Sequence, residues 1–480
     1  MRVQSSLTRI LELRILKENL KHINMKTKIY LSALLMACTL SLSAEDVITD
    51  TTQLTYNMLG LKTYYRVNYS YESVAPDGVT PVTLSSALIF PQGIFERTKT
   101  IEIGDKEFNA CGLVLNNHYT MTKRSEAPTV ASSLQIEAPF ATLGPDYIIV
   151  SPDSYGFGVT DDKPQAYLNA DATAINHIDA VGAARRLLKM MDYSVGDLFV
   201  QFGYSQGGYS TMAVQRYFDT HEVDPEVISH IDYTLCGDGP YDLSAMMDSL
   251  LIPETTYTFP CAISLIVEGQ IEGANLDISY SDIFRAPLDT KLIEWNDCKE
   301  LSTDDINDSI YAYVGGDPST GILVSNMLRT ENISRSNPTM DPFFQTLYDN
   351  SVCYDWKPNA DTRFFIYHSF NDEVVPYYNM EHMCDYLRNE CGVGDDKLET
   401  YKAEGRHVEA AMNFILNVIN KTTILQEEYI ANQQMAIPTI DFTNEIPSTD
   451  AWFTLDGRRL SNKPTTKGLY IHNGRKVLIK

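Results

Sequence analysis

Ser205 stands between two glycines, in the segment Gly203-Tyr204-Ser205-Gln206-Gly207, directly after the apolar residues 198–202. An apolar strand, a glycine-flanked serine and a following helix place the serine on a tight turn that exposes its hydroxyl group. Here the helix is predicted from about residue 211 to 219. The segment therefore predicts that Ser205 is a nucleophile.

A serine hydroxyl needs a base to take its proton, and the base needs a carboxylate to hold it. His407 is the candidate base, because it follows a glycine after the last predicted strand and precedes a final helix. Asp372 is the candidate acid, because it follows the strand predicted at residues 363–368. Asp238, which follows an earlier strand, is the alternative acid. The chain order serine, acid, histidine is the one found with this type of turn.

Attack on a carbonyl group also needs donors for the negatively charged oxygen that forms. The first predicted donor is the backbone N–H of Gln206, the residue after the nucleophile. The second is the backbone N–H of Tyr119, or that of Thr120, after the strand predicted at residues 111–115. This chemistry requires no metal and no organic cofactor, and the cysteines show no paired C-x-x-C spacing. We therefore predict neither.

Strands and helices alternate along the chain, which predicts an α/β fold with a mostly parallel sheet. Strands are predicted at residues 65–71, 82–90, 111–115, 147–150, 198–202, 233–236, 363–368 and 397–401, and helices at 170–190, 211–219, 378–387 and 409–420. Ligands bind beyond the carboxyl ends of the strands in such sheets. His118, Asp153 and Ser205 all follow strand ends.

Two segments interrupt this alternation. Residues 245–358, rich in Tyr, Asp, Ser and Met, are predicted to form a helical cap inserted into a main domain of residues 45–430. A cap of this kind would shape the substrate pocket. Residues 441–480 are predicted to form a small, basic β module, with turn signals at Asp456-Gly457 and Asn473-Gly474.

The beginning of the chain has the residue pattern of an export signal. A basic start at Met25 is followed by the mostly apolar residues 29–42 and by Ala44, which predicts a signal peptide over residues 25–44. Residues 1–24 would then be an extension upstream of the true start. In a second interpretation, residues 35–38 resemble a lipoprotein cleavage box and Cys38 is lipidated. Both predict export to the periplasm, the outer surface or the medium, where Cys384 and Cys391 are the nearest pair for a disulfide.

The formal net charge of −25 argues against a nucleic-acid partner, which would require a basic surface. An acidic chain of this size is typical of a soluble protein in an open medium.

Residues of about 62 to 420 resemble the α/β-hydrolase superfamily, in particular its secretory lipase and esterase branch. The shared motifs are Pro76-Asp77-Gly78, the stretch 152–158, the segment GYSQGG around Ser205, the acid loop 371–376 and Gly405-Arg406-His407. The resemblance implies Ser205, Asp372 and His407 as nucleophile, acid and base. It also implies hydrolysis of a small-molecule, lipid or polysaccharide ester. The family usually has glycine after the histidine of its oxyanion loop, whereas this chain has Tyr119.

Residues 468–477 resemble C-terminal modules of exported proteins from Gram-negative anaerobes, some of which guide secretion or surface attachment. This resemblance implies secretion machinery as a partner. Two other interpretations remain for the whole chain. One is a serine peptidase of the prolyl-oligopeptidase type, which the short region before the sheet disfavours. The other is a binding protein on an inactive hydrolase fold, which the complete Ser, Asp and His set disfavours.

Overall fold

The computed structural model describes residues 46–57, 60–435, 451–455, 457–472 and 475–479. The chain divides into two compact units, Met1–Ile430 and Ala431–Lys480. The predicted extension, the signal peptide and Cys38 lie outside the described residues. Within those residues, each helix is too short or too polar to cross a lipid bilayer.

A nine-stranded sheet forms the centre of the first unit. The strands of this unit are β1 (Val47–Asn57), β2 (Leu61–Val74), β3 (Pro81–Pro91), β4 (Ile101–Ile103), β5 (Lys106–Phe108), β6 (Ala110–Asn117), β7 (Tyr147–Pro152), β8 (Val195–Tyr204), β9 (Tyr233–Gly237), β10 (Thr256–Tyr257), β11 (Ile322–Leu323), β12 (Arg363–Ser369) and β13 (Leu398–Ala403). The order in the large sheet is β1-β2-β3-β7-β6-β8-β9-β12-β13.

The first three strands are antiparallel to their neighbours, and the six strands from β7 to β13 are parallel. Every residue of β6, β7 and β9 is buried, as expected for parallel strands covered on both faces. The predicted α/β fold with a mostly parallel sheet is confirmed. Sequence analysis missed β1, whose partly exposed residues give no clear apolar run.

Helices cover both faces of the sheet and fill the insertion. They are α1 (Gln92–Phe95), α2 (Glu137–Leu143), α3 (Ala170–Met190), α4 (Gln206–Thr220), α5 (Leu243–Leu250), α6 (Pro260–Gly273), α7 (Tyr280–Ile283), α8 (Leu288–Cys298), α9 (Thr303–Val314), α10 (Val324–Met327), α11 (Asp341–Asp349), α12 (Tyr378–Asp385) and α13 (His407–Met435). Phe140 of α2 and Phe414 of α13 pack on one face of the sheet, and α3 packs on the other.

Helices α5 to α11 form the cap, together with the short antiparallel pair β10–β11. Apolar side chains of the cap share one cluster with Tyr209 and Met212 of α4. The cap therefore packs directly on the helix that follows Ser205. Its helical character agrees with the prediction for residues 245–358.

The helix after Ser205 begins at Gln206, so the predicted start at residue 211 is wrong. Two glycines in its first turn have low helix propensity, but close packing selects them there. The last helix runs from His407 to Met435 instead of from 409 to 420. Helix α12 ends at Asp385, before the predicted residue 387, because a π-helical turn follows over Tyr386–Glu390.

The expected disulfide is also absent from the described residues, in which Cys384 and Cys391 are both free. Cys384 is buried in the apolar cluster shared with the cap. The sulfur of Cys391 instead donates a hydrogen bond to the carbonyl oxygen of Trp356. Their closeness in sequence therefore does not bring the two thiols together.

The second unit contains a small antiparallel sheet in the order β15-β14-β16-β17. Its strands are β14 (Trp452–Phe453), β15 (Arg459–Leu460), β16 (Gly468–His472) and β17 (Arg475–Ile479). The rings of Trp452 and His472 stack, with centroids 4.2 Å apart. The predicted C-terminal β module is therefore present as a separate sheet.

Candidate active site

Ser205 lies between β8 and α4 in a strained backbone conformation, with φ of 59° and ψ of −123°. Non-glycine residues seldom adopt such angles, and they are maintained only where surrounding contacts enforce them. The backbone N–H of Ser205 donates to the carbonyl oxygen of Gly237. A Cβ atom on Gly203 would lie 2.2 Å from the carbonyl oxygen of Gly207, so the turn requires its glycines.

The structure brings together the three residues predicted for catalysis. The Oγ–H of Ser205 donates to His407 Nε2 over 2.9 Å, and His407 Nδ1–H donates to Asp372 Oδ2 over 2.6 Å. Asp372 follows β12, whereas His407 begins α13, so neighbouring elements at the carboxyl edge of the sheet supply acid and base. A serine, a histidine and a carboxylate in this sequence of hydrogen bonds can activate the hydroxyl group.

Asp372 is oriented by its own loop. Its Oδ1 accepts the backbone N–H groups of Val374 and Val375, each over 2.8 Å, which leaves Oδ2 for His407. Burial opposes ionisation of this carboxyl, but His407, with smaller contributions from His368 and the N–H of Val375, holds its pKa below the usual value. Burial likewise opposes charge on His407, yet Asp372 and Asp238 raise the pKa of the imidazole above its usual value.

The alternative acid, Asp238, also faces His407. Its Oδ2 lies 3.7 Å from His407 Nδ1, which is farther than the Oδ2 of Asp372. Its Oδ1 accepts the backbone N–H of Ser369, and its Oδ2 lies 2.5 Å from the hydroxyl oxygen of Tyr204. Asp372 is therefore the carboxylate that accepts the hydrogen bond from His407 Nδ1, and Asp238 lies beside it.

The first predicted oxyanion donor, Gln206, is the first residue of α4, where a backbone N–H has no partner within the helix. The second, Tyr119, follows β6. The register of β6 and β8 pairs Asn117 with Gly203, and the carbonyl oxygens of Asn117 and His118 approach Gly207 closely. The segment that carries Tyr119 thus leaves the sheet beside the turn of Ser205. Its role as a donor remains a prediction.

Solved structures named as an esterase and a lipase share this architecture. The chain resembles the esterase LipA of Xanthomonas oryzae, described as degrading rice cell walls, with 20% identity and a TM-score of 0.61, covering 81% of this chain and 99% of that one. Candida antarctica lipase A in its closed state is 11% identical, with a TM-score of 0.54, and the match covers 81% of this chain and 83% of that one. The chain has the α/β-hydrolase fold. No family model and no curated protein sequence matches it.

Asp238, Asp372 and His407 form one cluster at the carboxyl edge of the sheet. Their potential ligand atoms lie within 4.8 Å of one another, a spacing that could in principle hold a metal ion. A tetrahedral ion with ligands at about 2 Å would hold two ligand atoms roughly 3.3 Å apart. His407 Nδ1 and Asp372 Oδ2 are only 2.6 Å apart, which is the length of a hydrogen bond. A proton therefore fits between these two atoms better than a metal ion does.

Sequence analysis missed a buried polar network behind residues 117–120, the segment that carries Tyr119 and is called the oxyanion segment below. Asn117 Oδ1 lies 2.6 Å from His177 Nδ1, and its amide nitrogen donates to the hydroxyl of Thr211 in α4. His177 Nε2 lies 2.9 Å from Ser154 Oγ. Burial lowers the pKa of His177 to about 3, so its imidazole is neutral. The network ties the end of β6 to α3 and α4. The position of Asn117 at a strand end was the one available signal.

Two other residues at strand ends lie outside the hydrogen-bonded site. The carboxylate of Asp153 is buried and accepts hydrogen bonds from the hydroxyl groups of Ser85 and Thr129. It therefore joins the end of β7 to β3 and to the loop that carries Thr129. The Nδ1 of His118 lies 2.9 Å from the carbonyl oxygen of Tyr119, so this ring is turned onto its own segment.

Proposed function

We propose that this protein is an exported carboxylic-ester hydrolase of the serine esterase or lipase type. The observation that carries the proposal is the 2.9 Å contact between Ser205 Oγ and His407 Nε2, formed by a serine with strained backbone angles. Structural neighbours named as an esterase and a lipase support the same class of reaction.

In the proposed reaction, Ser205 Oγ attacks the ester carbonyl carbon while His407 Nε2 takes the hydroxyl proton. Asp372 stabilises the imidazolium that forms. The backbone N–H groups of Gln206 and Tyr119 hold the negative oxygen of the tetrahedral intermediate.

Collapse of the intermediate breaks the bond to the alcohol, which leaves with the proton from His407. Ser205 then carries the acyl group. Water attacks the acyl carbon with His407 again as base, and the acid product leaves with Ser205 regenerated. Atoms and charges balance in these reaction steps without a metal ion or an organic cofactor.

The cap contacts the acid loop and is therefore proposed as a wall of the substrate pocket. Tyr257 donates its hydroxyl proton to the carbonyl oxygen of Val374 over 2.8 Å, and the hydroxyl of Thr258 donates to the carbonyl oxygen of Glu373. These contacts join β10 to the loop that holds Asp372. We expect cap residues to select among small-molecule, lipid and polysaccharide esters.

The test is hydrolysis of p-nitrophenyl esters with acyl chains from acetyl to dodecanoyl, combined with fluorophosphonate labelling of Ser205. Ser205→Ala should lower kcat by about 10⁴-fold or more and abolish labelling. Ser210→Ala is the matched control, since Ser210 is a buried serine further along the same helix. Absence of turnover in the wild type, or an unchanged rate in Ser205→Ala, would refute the proposal.

The same experiment separates the rival interpretations. Turnover of dipeptidyl amides without ester turnover would favour a peptidase. Folded protein that neither turns over substrate nor accepts the label would favour a binding protein.

Export is the remaining part of the proposal, and it comes from the sequence of residues 25–44. N-terminal analysis of the mature protein should find Glu45 if the signal is cleaved after Ala44. A lipid-modified Cys38 at the N-terminus would instead indicate lipoprotein anchoring. We propose secretion machinery as the partner of the C-terminal module, and removal of residues 441–480 should then retain the protein inside the cell envelope.

A further inference from the structure

The site contains one carboxyl group more than a serine, histidine and acid set requires. Asp238 follows β9 and Asp372 follows β12, and these strands are parallel neighbours in a register that pairs Gly237 with Tyr367. Both carboxyl groups therefore emerge at the same edge of the sheet. Their Oδ2 atoms lie 3.7 Å and 2.6 Å from the same nitrogen, His407 Nδ1.

Asp238 is fixed in place and completely buried. The N–H of Ser369 donates to its Oδ1 over 2.9 Å, while its Oδ2 contacts the hydroxyl of Tyr204. Among the described residues, His407 is the cationic partner recorded within ion-pair distance of this carboxyl. An ionised Asp238 therefore has His407 as its cationic partner among the described residues. His407 becomes positively charged when it takes the proton of Ser205.

Tyr204 indicates that Asp238 can hold a proton. The Tyr204 hydroxyl contacts both Asp238 Oδ2 and the backbone carbonyl oxygen of His407. A phenol has one proton to donate. Both contacts are hydrogen bonds when Asp238 is protonated and donates to the oxygen of Tyr204. When Asp238 is ionised, the phenol donates to the carboxylate instead.

We propose that Asp238 is a positioning residue, a second carboxyl partner of His407 whose ionised form helps Asp372 stabilise the imidazolium during acyl transfer. This inference rests on the proposed function of Ser205. The proton that Ser205 releases remains on His407 and passes to the leaving alcohol, so Asp238 changes the stability of the imidazolium and not the balance of the reaction.

The electrostatics agree with this geometry. Burial and the charge of Asp372 raise the pKa of Asp238 to about 7. The cluster is also faced by Tyr204 on β8, Tyr241 after β9, Tyr367 and His368 on β12, and Glu373, which forms an ion pair with Arg406. Burial lowers the pKa of His368 to about 4, so His368 is neutral near pH 7. Interacting groups of this kind titrate together.

The first arm of the test measures the rate of fluorophosphonate labelling in Asp372→Asn, Asp238→Asn and the double variant. Asparagine preserves the size of each side chain and its hydrogen bonds to backbone N–H groups. Asp372→Asn should label at least about tenfold faster than the double variant, because Asp238 can then accept the Nδ1 proton. Equal rates in these two variants would overturn the proposal.

The second arm compares wild type with Asp238→Asn across pH. The wild type should be faster at high pH, and the ratio of rates should approach one below pH 7, where Asp238 is protonated and resembles asparagine. A ratio independent of pH would show a structural role and overturn the proposal. Asp242→Asn is the matched control, since Asp242 holds a different histidine, His382, at 2.7 Å.

Thermal unfolding establishes that each variant is folded. If the double variant does not fold, the pH dependence of Asp238→Asn decides alone. Labelling reports the nucleophilicity of Ser205 whether or not esters are turned over. A wild-type protein that reacts with the fluorophosphonate but hydrolyses no ester would therefore refute the proposed function. The role of Asp238 could still be tested by the labelling rates.

Discussion

Replacement of Gly207 by alanine tests whether the oxyanion segment depends on close backbone contact with the turn of Ser205. A Cβ atom at this position would lie 2.0 Å from the carbonyl oxygen of Asn117 and 3.0 Å from that of His118. Both obstructing atoms belong to the backbone, so side-chain rotation cannot relieve the contact.

The size of the effect follows from these distances. Carbon and oxygen atoms make ordinary contact at about 3.3 Å, so the end of β6 or the start of α4 must move by roughly 1.3 Å. Displacement of catalytic groups by about 1 Å costs about 10²-fold in rate, or about 2.7 kcal/mol. Overpacking should also lower the free energy of unfolding by about 1–3 kcal/mol. We expect kcat to fall by about 10²-fold in protein that is still folded.

The assay is p-nitrophenyl ester hydrolysis, with thermal unfolding measured on the same samples. Gly182→Ala is the matched control. Gly182 lies inside α3, where the nearest obstructing atoms belong to the side chains of Val227 and Arg186 at 3.3 Å or more. Its activity should be unchanged. If Gly207→Ala retained wild-type kcat, close packing of the oxyanion segment would not be required for catalysis, and the reasoning would be wrong.

Two further predictions concern pH and stability. His407 must be neutral to accept a proton, and the neighbouring carboxylates raise the pKa of its imidazole. We therefore expect kcat/KM to fall as the pH is lowered, with a midpoint above about pH 6.5. A midpoint below pH 6 in a pH–rate profile would contradict this prediction. Asp192 lies two residues after the end of α3, with a positive φ of 59° and an exposed side chain. Asp192→Gly should therefore raise the free energy of unfolding by about 0.5–1 kcal/mol in urea titration, and a loss of stability would show that the backbone is unstrained there.

Apolar runs and glycine positions predicted most of the sheet, because parallel strands buried on both faces leave a clear signal in sequence. Helix α3 was predicted with its observed bounds, since its alanines and apolar spacing agree with its packing. The start of α4 could not be predicted in this way. Gly207 and Gly208 lower local helix propensity, and the reason for their presence is contact with the backbone of Asn117 and Gly237, which are distant in sequence.

The choice between Asp238 and Asp372 shows the same limit at the site. Each aspartate follows a strand, and each precedes His407, so chain order allows both, and sequence analysis ranked Asp372 first with Asp238 as the alternative. The two strands are adjacent and parallel, which places both carboxyl groups against one imidazole nitrogen. A difference of about 1 Å, set by the turn over residues 369–375, then decides which carboxylate forms the hydrogen bond. Residue types do not encode a difference in distance of this size. Sequence reasoning therefore treated Asp238 and Asp372 as alternatives, whereas the fold places both carboxyl groups beside His407.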